Sequence, residues 1–136
     1  MATMLIVEDD PAWRSLYLME FGNQFDVFEA NDGLQALSML DWVRPDVILL
    51  DLNLPRLDGR NFLQRMAAKG VTAPVVVCSG TVPEGAATPQ GVQMAPKSGD
   101  LRQVRAAVRT AVQAAGVVAR ATGARVEEAG EPEWLD

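Results

Sequence analysis

The chain has no histidine and one cysteine among its 136 residues. Without histidine, Ser-His-Asp acyl transfer is excluded and most zinc sites lose their usual ligand. The single cysteine, Cys78, excludes an internal disulfide framework. It lies in the run Pro74-Val75-Val76-Val77-Cys78 and is expected to be a small buried hydrophobe. No apolar run is long enough to span a bilayer, and Met1-Ala2-Thr3-Met4-Leu5-Ile6 carries neither a basic n-region nor a cleavage signal. A cytoplasmic chain without a membrane partner is therefore expected. Positive charge is also scarce: the net charge is −6 and there are two lysines. A nucleic-acid binder normally presents a basic face. Arg102, Arg105 and Arg109 line one expected helix and suit a solvated face or a protein contact, so no nucleic-acid partner is expected.

What the chain does have is acid at the ends of apolar runs. Asp46-Val47-Ile48-Leu49-Leu50-Asp51 ends on a carboxylate and breaks into Leu52-Asn53-Leu54-Pro55-Arg56-Leu57-Asp58-Gly59. Met4-Leu5-Ile6-Val7 ends in Glu8-Asp9-Asp10 in the same way. Five runs have strand character: Met4–Val7, Asp26–Glu29, Val47–Leu50, Val75–Cys78 and Val92–Ala95. The first, third and fourth are continuously apolar, as in parallel strands covered on both faces; the second and fifth are weaker.

Helical patterns alternate with these runs. Asp10-Pro11 supplies an N-cap and a proline at N1, followed by Trp13, Leu16, Tyr17 and Glu20. Asn31-Asp32-Gly33 leads into Leu34, Ala36, Leu37 and Leu40; Asp58-Gly59 leads into Phe62, Leu63 and Met66, closed at Gly70. A last helix starts near Asp100 and carries Leu101, Val104, Val108 and Val112. Alternating β and α segments predict an α/β fold: a doubly wound, flavodoxin-like, five-stranded parallel sheet with right-handed crossovers. In the order 2-1-3-4-5 the topological switch point lies between the first and third strands, where Glu8-Asp9 and Asp51 end. Between the fourth and fifth strands, Thr81–Gly91 holds two prolines and two glycines, so the helix there is expected to be shortened or missing. The acidic stretch from residue 119 to 136 is expected to be a tail, partly disordered or extending the last helix, with Trp134 out of character in it.

Carboxylates that crowd together repel, and burial raises their pKa; a hard divalent cation relieves both. Mg²⁺ takes oxygen ligands, often one or two carboxylates plus a phosphate. Asp9 and Asp51 are the candidate carboxylate ligands, the carbonyl of Asn53 a third oxygen, and Glu8 a partner through a metal-bound water. Asp10 is better explained as a helix cap. An Asp beside Mg²⁺ is either a ligand only or also a nucleophile toward phosphorus. Ser79, ending the fourth strand, and Lys97, following the fifth, fall on the same lip as Asp51 and suit phosphoryl oxygens.

This constellation resembles the receiver domain of two-component response regulators, of the chemotaxis CheY type. The resemblance covers residues 3 to about 116 and rests on Leu5-Ile6-Val7-Glu8-Asp9-Asp10, Ala30-Asn31-Asp32-Gly33-Leu34-Gln35-Ala36-Leu37, Pro45-Asp46-Val47-Ile48-Leu49-Leu50-Asp51, Leu54-Pro55 and Asp58-Gly59. It implies a receiver domain over about 1–118. It further implies that Asp51 takes a phosphoryl group from a histidine kinase or phosphotransfer protein, with Glu8 and Asp9 as the acidic pair and Asp9 on Mg²⁺. Ser79 would be the hydroxyl that moves toward the phosphoryl group, Lys97 the lysine that pairs with it, and Asn53 a residue that tunes attack by water.

Three departures accompany it. Lys97 is followed by Ser98 where the family has proline, so a trans bond is expected and the reach of Lys97 becomes the question. Met94 stands where the family's switch aromatic sits, and the segment between Ser79 and Lys97 is short. The expected activity is that of a single-domain, non-enzymatic regulator that signals through a downstream protein. The last helix also offers a face for a second copy as a homodimer. The alternative is a receiver-fold interaction module that signals without phosphorylation. An Asp-nucleophile phosphatase is disfavoured because Asn53 stands where such enzymes place a second acid.

Overall fold

The computed structural model describes residues 1–80, 91–98 and 100–116. Five strands, β1 (Ala2–Val7), β2 (Phe25–Ala30), β3 (Val47–Asp51), β4 (Val75–Ser79) and β5 (Val92–Pro96), form one parallel sheet in the order β2-β1-β3-β4-β5. Four helices, α1 (Pro11–Phe21), α2 (Gly33–Val43), α3 (Gly59–Ala68) and α4 (Arg102–Ala115), cover it. The expected missing helix between β4 and β5 falls on residues 81–90, and the expected tail and Trp134 on 117–136, all outside the described residues.

Alternation along each strand sorts the core into two layers. Met4 and Ile6 of β1, Val47 and Leu49 of β3, and Val76 and Cys78 of β4 pack with Tyr17 and Phe21 of α1 and Val104, Val108 and Val112 of α4. Their neighbours Leu5, Val7, Ile48, Leu50, Val75 and Val77 pack on the other face with Leu40 of α2 and Phe62 and Met66 of α3. The three central strands are buried almost throughout because both of their faces are covered. The two weak runs turn out to be the edges: β2 exposes Asp26, Phe28 and Glu29, and four of the five residues of β5 are half-buried.

Side-chain caps fix where the helices start. Asp10 accepts the Ala12 N–H at 2.9 Å, with Pro11 at the first helical position. Asp32 accepts the Gln35 N–H at 2.7 Å, and Asp58 the Asn61 N–H at 2.9 Å. Asp100 accepts the Arg102 N–H at 3.0 Å before α4. The first three are caps just past a strand or its loop, and the turns leading into α1, α2, α3 and α4 are each held by a hydrogen bond to a carboxylate.

Glycines bring the loops close. A Cβ on Gly33 would lie 2.0 Å from the Leu57 carbonyl oxygen, and one on Gly59 would lie 2.7 Å from Leu52 Cα. The β3–α3 loop is therefore pressed against the start of α2 on one side and the end of β3 on the other. Arg56, at φ 68, pairs across this junction with the Asp32 carboxylate.

Candidate functional site

Pairing of Val7 with Leu50 places Glu8 beside Asp51, and pairing of Asp51 with Cys78 and of Ser79 with Pro96 brings Ser79 and Lys97 to the same lip. One carboxylate oxygen each from Glu8, Asp9 and Asp51 lies within 4.8 Å of the others. Glu8 and Asp51 are buried, at 1% and 5% exposure, while Asp9 is exposed. A cleft of 710 Å³ opens at Asp9, bounded also by Asn53, Pro55, Asp58, Arg60 and Ser79.

Lys97 is the cation of this cluster. Its Nζ stands 2.7 Å from Glu8 Oε1 and 3.3 Å from Asp51 Oδ2. The described peptide bonds are all trans, and the trans bond after Lys97 does not keep it away. The lysine reaches because its own N–H, bonded to the Ser79 carbonyl at 2.8 Å, holds it one step past the end of β5.

The other polar contacts set the shape of the lip. Asn53 N–H donates to Asp51 Oδ1 at 3.2 Å, folding the loop back over the strand end. Asp10 N–H donates to Glu8 Oε2 at 3.1 Å, and the Arg14 guanidinium donates to the Glu8 carbonyl at 2.8 Å. Glu8 Oε1 is fully buried, and the Lys97 ammonium is the group that meets it.

Burial pushes the Glu8 carboxyl up to about 7, with the nearby Asp51 charge acting in the same direction and Lys97 and the Asp10 N–H opposing. Burial pulls the Lys97 ammonium down, but Glu8 and Asp51 outweigh it and hold the pKa above the usual lysine range. Cys78 is buried and its thiol is pushed up to about 12 by desolvation, an inert core position as its sequence context implied.

The site residues named from the sequence, Glu8, Asp9, Asp51, Asn53, Ser79 and Lys97, thus stand at one lip. Ser79 is buried at the end of β4 on the rim of the cleft. Met94 is half-buried on β5, packed against the layer that holds α2 and α3. Of the helix arginines, Arg102 pairs with Asp100 and Arg105 with Glu20, contacts within the chain itself. Two features were missed. Arg60 borders the cleft from the first turn of α3. Trp13 lies under Lys97, with Nζ 5.2 Å from the ring centroid. For Trp13 a signal existed: the Asp10-Pro11 cap starts α1 at the lip, which puts its first turn beside the acidic cluster.

A family model for the response regulator receiver domain matches residues 4–94. The chain belongs to this family. Its fold and acidic lip are those of a receiver domain, the kind of module that accepts phosphoryl groups from histidine kinases and binds Mg²⁺ in an acidic pocket. Chemotaxis protein CheY of Listeria monocytogenes is 33% identical over 87 residues, covering 62% of this chain and 73% of that protein. A protein-glutamate methylesterase/protein-glutamine glutaminase of Shewanella oneidensis is 38% identical over 89 residues, 63% of this chain. This receiver domain matches about a quarter (25%) of that longer protein's length. Among solved structures, the receiver domain of the hybrid histidine kinase CckA superposes with a TM-score of 0.69 at 29% identity, covering 82% of this chain and 100% of that one. Among the described residues, no helix is long and apolar enough to cross a membrane.

Proposed function

We propose that this receiver domain takes a phosphoryl group onto Asp51 from a phosphohistidine of a histidine kinase or phosphotransfer protein and signals by protein contact. The carrying observation is the convergence of Glu8, Asp9 and Asp51 within 4.8 Å, with Lys97 touching both buried members. In the transfer an Asp51 carboxylate oxygen attacks phosphorus. The P–N bond of the donor breaks, its electron pair leaves with the imidazole nitrogen, and a mixed anhydride forms on Asp51. Water attacking the same phosphorus would return the carboxylate and inorganic phosphate. The domain is then a phosphoryl acceptor rather than an enzyme with a separate substrate, and its place is the cytoplasm, where such kinases present their phosphohistidine.

The donor set suits Mg²⁺: all the groups are hard oxygens, and two of the three clustered carboxylates are buried. Asp9, Asp51 and the Asn53 carbonyl would hold the ion, with Glu8 acting through water. When bound, the ion supplies positive charge against the phosphoryl oxygens. Lys97 is placed to pair with one of those oxygens, and Ser79 on the neighbouring strand end would contribute a hydroxyl. Asn53, over the Asp51 carboxylate, stands where it would govern the approach of water. Residues 1–118 form the phosphorylated unit and 119–136 an extension to it.

Incubation with acetyl phosphate and Mg²⁺, followed by intact mass, tests the reading. One phosphoryl group should appear on the protein and none on Asp51→Ala. Equal labelling of both, or labelling of neither, removes it.

A further inference from the structure

We propose that Trp13 is a positioning residue for Lys97, its ring holding the ammonium at the lip so that the cation can follow charge gained by Asp51. The inference rests on the reading of Asp51 as the acceptor. A lysine ammonium is a point charge on a flexible four-carbon stem. The next side chain does not help to hold it: the Ser98 hydroxyl donates to the Asp100 carbonyl at 2.9 Å. The ammonium is therefore placed by what it touches, Glu8 at 2.7 Å, Asp51 at 3.3 Å and the Trp13 ring at 5.2 Å from its centroid.

Two of those three contacts change during function. Phosphorylation alters the charge on Asp51, and a cation held among Glu8, Asp9 and Asp51 would alter what Glu8 faces. The indole is the contact that stays constant. An aromatic face attracts a cation through its quadrupole and leaves the N–H donors free for oxygen. With Glu8 the nearer carboxylate, a lysine held by acids alone would follow Glu8; the ring anchors it between the two.

The platform itself is fixed. Trp13 lies in the first turn of α1, whose start is set by the Asp10 cap and Pro11. Its ring leans on Tyr17, with centroids 5.7 Å apart and planes at 35°, and Tyr17 is buried against the core. Trp13 also packs half-buried against that layer. A purely structural role is thus the rival to be separated from positioning.

The rate of Asp51 phosphorylation by acetyl phosphate with Mg²⁺ is compared among wild type, Trp13→Leu, Trp13→Phe, Lys97→Ala and the Trp13→Leu/Lys97→Ala double variant. Trp13→Leu should slow labelling about five-fold, and Trp13→Phe should recover most of it. In the Lys97→Ala background Trp13→Leu should add nothing, because the ring acts through the lysine. A full five-fold loss in that background, or no loss in Trp13→Leu alone, overturns the proposal. A second measurement needs no phosphorylation. With only Lys69 and Lys97 to assign, the ε-methylene protons of Lys97 should resonate upfield of those of Lys69 through the indole ring current. They should merge with them in Trp13→Leu and remain shifted in Trp13→Phe. Merged signals in the wild type sink the proposal. If the wild type takes no phosphoryl group, the acceptor reading falls, and the proton shifts alone decide whether Trp13 holds Lys97.

Discussion

The strand β3 carries an aspartate at each end, and the two are put to opposite use. Asp46, just before the strand, accepts the Thr3 N–H at 2.8 Å while its own N–H donates to the Thr3 carbonyl at 2.8 Å, tying β1 to β3. Asp51, at the other end, is buried beside Glu8 with Lys97 between them. One end of the sheet spends a carboxylate on joining the chain. The other gathers carboxylates that repel and buries two of them around one lysine. Residues that satisfy one another stabilise a fold, whereas groups kept under strain by their surroundings mark a place where a ligand completes the set.

The sharpest way to break this comparison is to remove the acid at the functional end. Asp51→Asn keeps the size of the side chain and deletes the carboxylate proposed as the acceptor. Phosphoryl uptake from a small donor should vanish altogether while the circular dichroism spectrum and cooperative unfolding persist. A variant that unfolded, or one that was still labelled at wild-type rate, would show that the two aspartates do not divide labour in this way.

Next in size is a change to the loop that carries Asn53. A methyl on Gly33 would meet the Leu57 carbonyl at 2.0 Å, a backbone atom that cannot swing aside as the end of a flexible side chain can. Gly33→Ala should cost roughly 2–3 kcal/mol in urea unfolding, the upper part of what overpacking usually costs. It should also weaken Mg²⁺ binding by displacing the β3–α3 loop from Asp51. A loss of stability with unchanged metal affinity would mean that the loop and the site are mechanically independent.

Most of this architecture was legible in the sequence, for a physical reason. Met4–Val7, Val47–Leu50 and Val75–Cys78 are apolar on both faces because they form the covered centre of the sheet, and the polar residues that follow them, Glu8-Asp9, Asp51 and Ser79, could only fall at its lip. The runs Asp26–Glu29 and Val92–Ala95 were faint because β2 and β5 are edges and need fewer apolar positions. What pattern could not supply was contact between distant segments. The lysine's distances to Glu8 and Asp51, the Trp13 ring beneath it and the Arg56–Asp32 pair all depend on helices and loops closing over the sheet. The sequence gives residue types at a lip; their spacing to within an ångström is a property of packing.

A smaller effect follows from Glu8. Its folded-state pKa is raised to about 7 from 4.5, chiefly by burial. Below the unfolded value both states hold the proton and the group costs nothing. As pH rises to and through 7, the unfolded chain has already released the proton and the folded protein is left with a buried charge, so stability is lost. Without metal, Glu8→Gln should therefore gain on the wild type between about pH 5 and 8 by on the order of 1–3 kcal/mol, and the two should converge near pH 4. Mg²⁺ should bind the wild type more tightly at pH 8 than at pH 6, since a proton on Glu8 competes with it. Denaturant midpoints in chelator across this range provide the measurement; parallel curves for the two proteins would place the strain elsewhere than on Glu8.

The smallest effect belongs to the end where everything is paired. Asp46→Ala removes the carboxylate that receives the Thr3 N–H at a half-buried position. A hydrogen bond to a charged acceptor there is worth about 1–2 kcal/mol, since water can partly replace it. The loss should appear in the unfolding midpoint and as faster amide exchange at Thr3, while labelling of Asp51 by acetyl phosphate stays within about two-fold of wild type, because distant sites with no shared partner act independently. A large drop in labelling would mean that β3 transmits changes from its first residue to its last, and the two aspartates would then be coupled parts of one device.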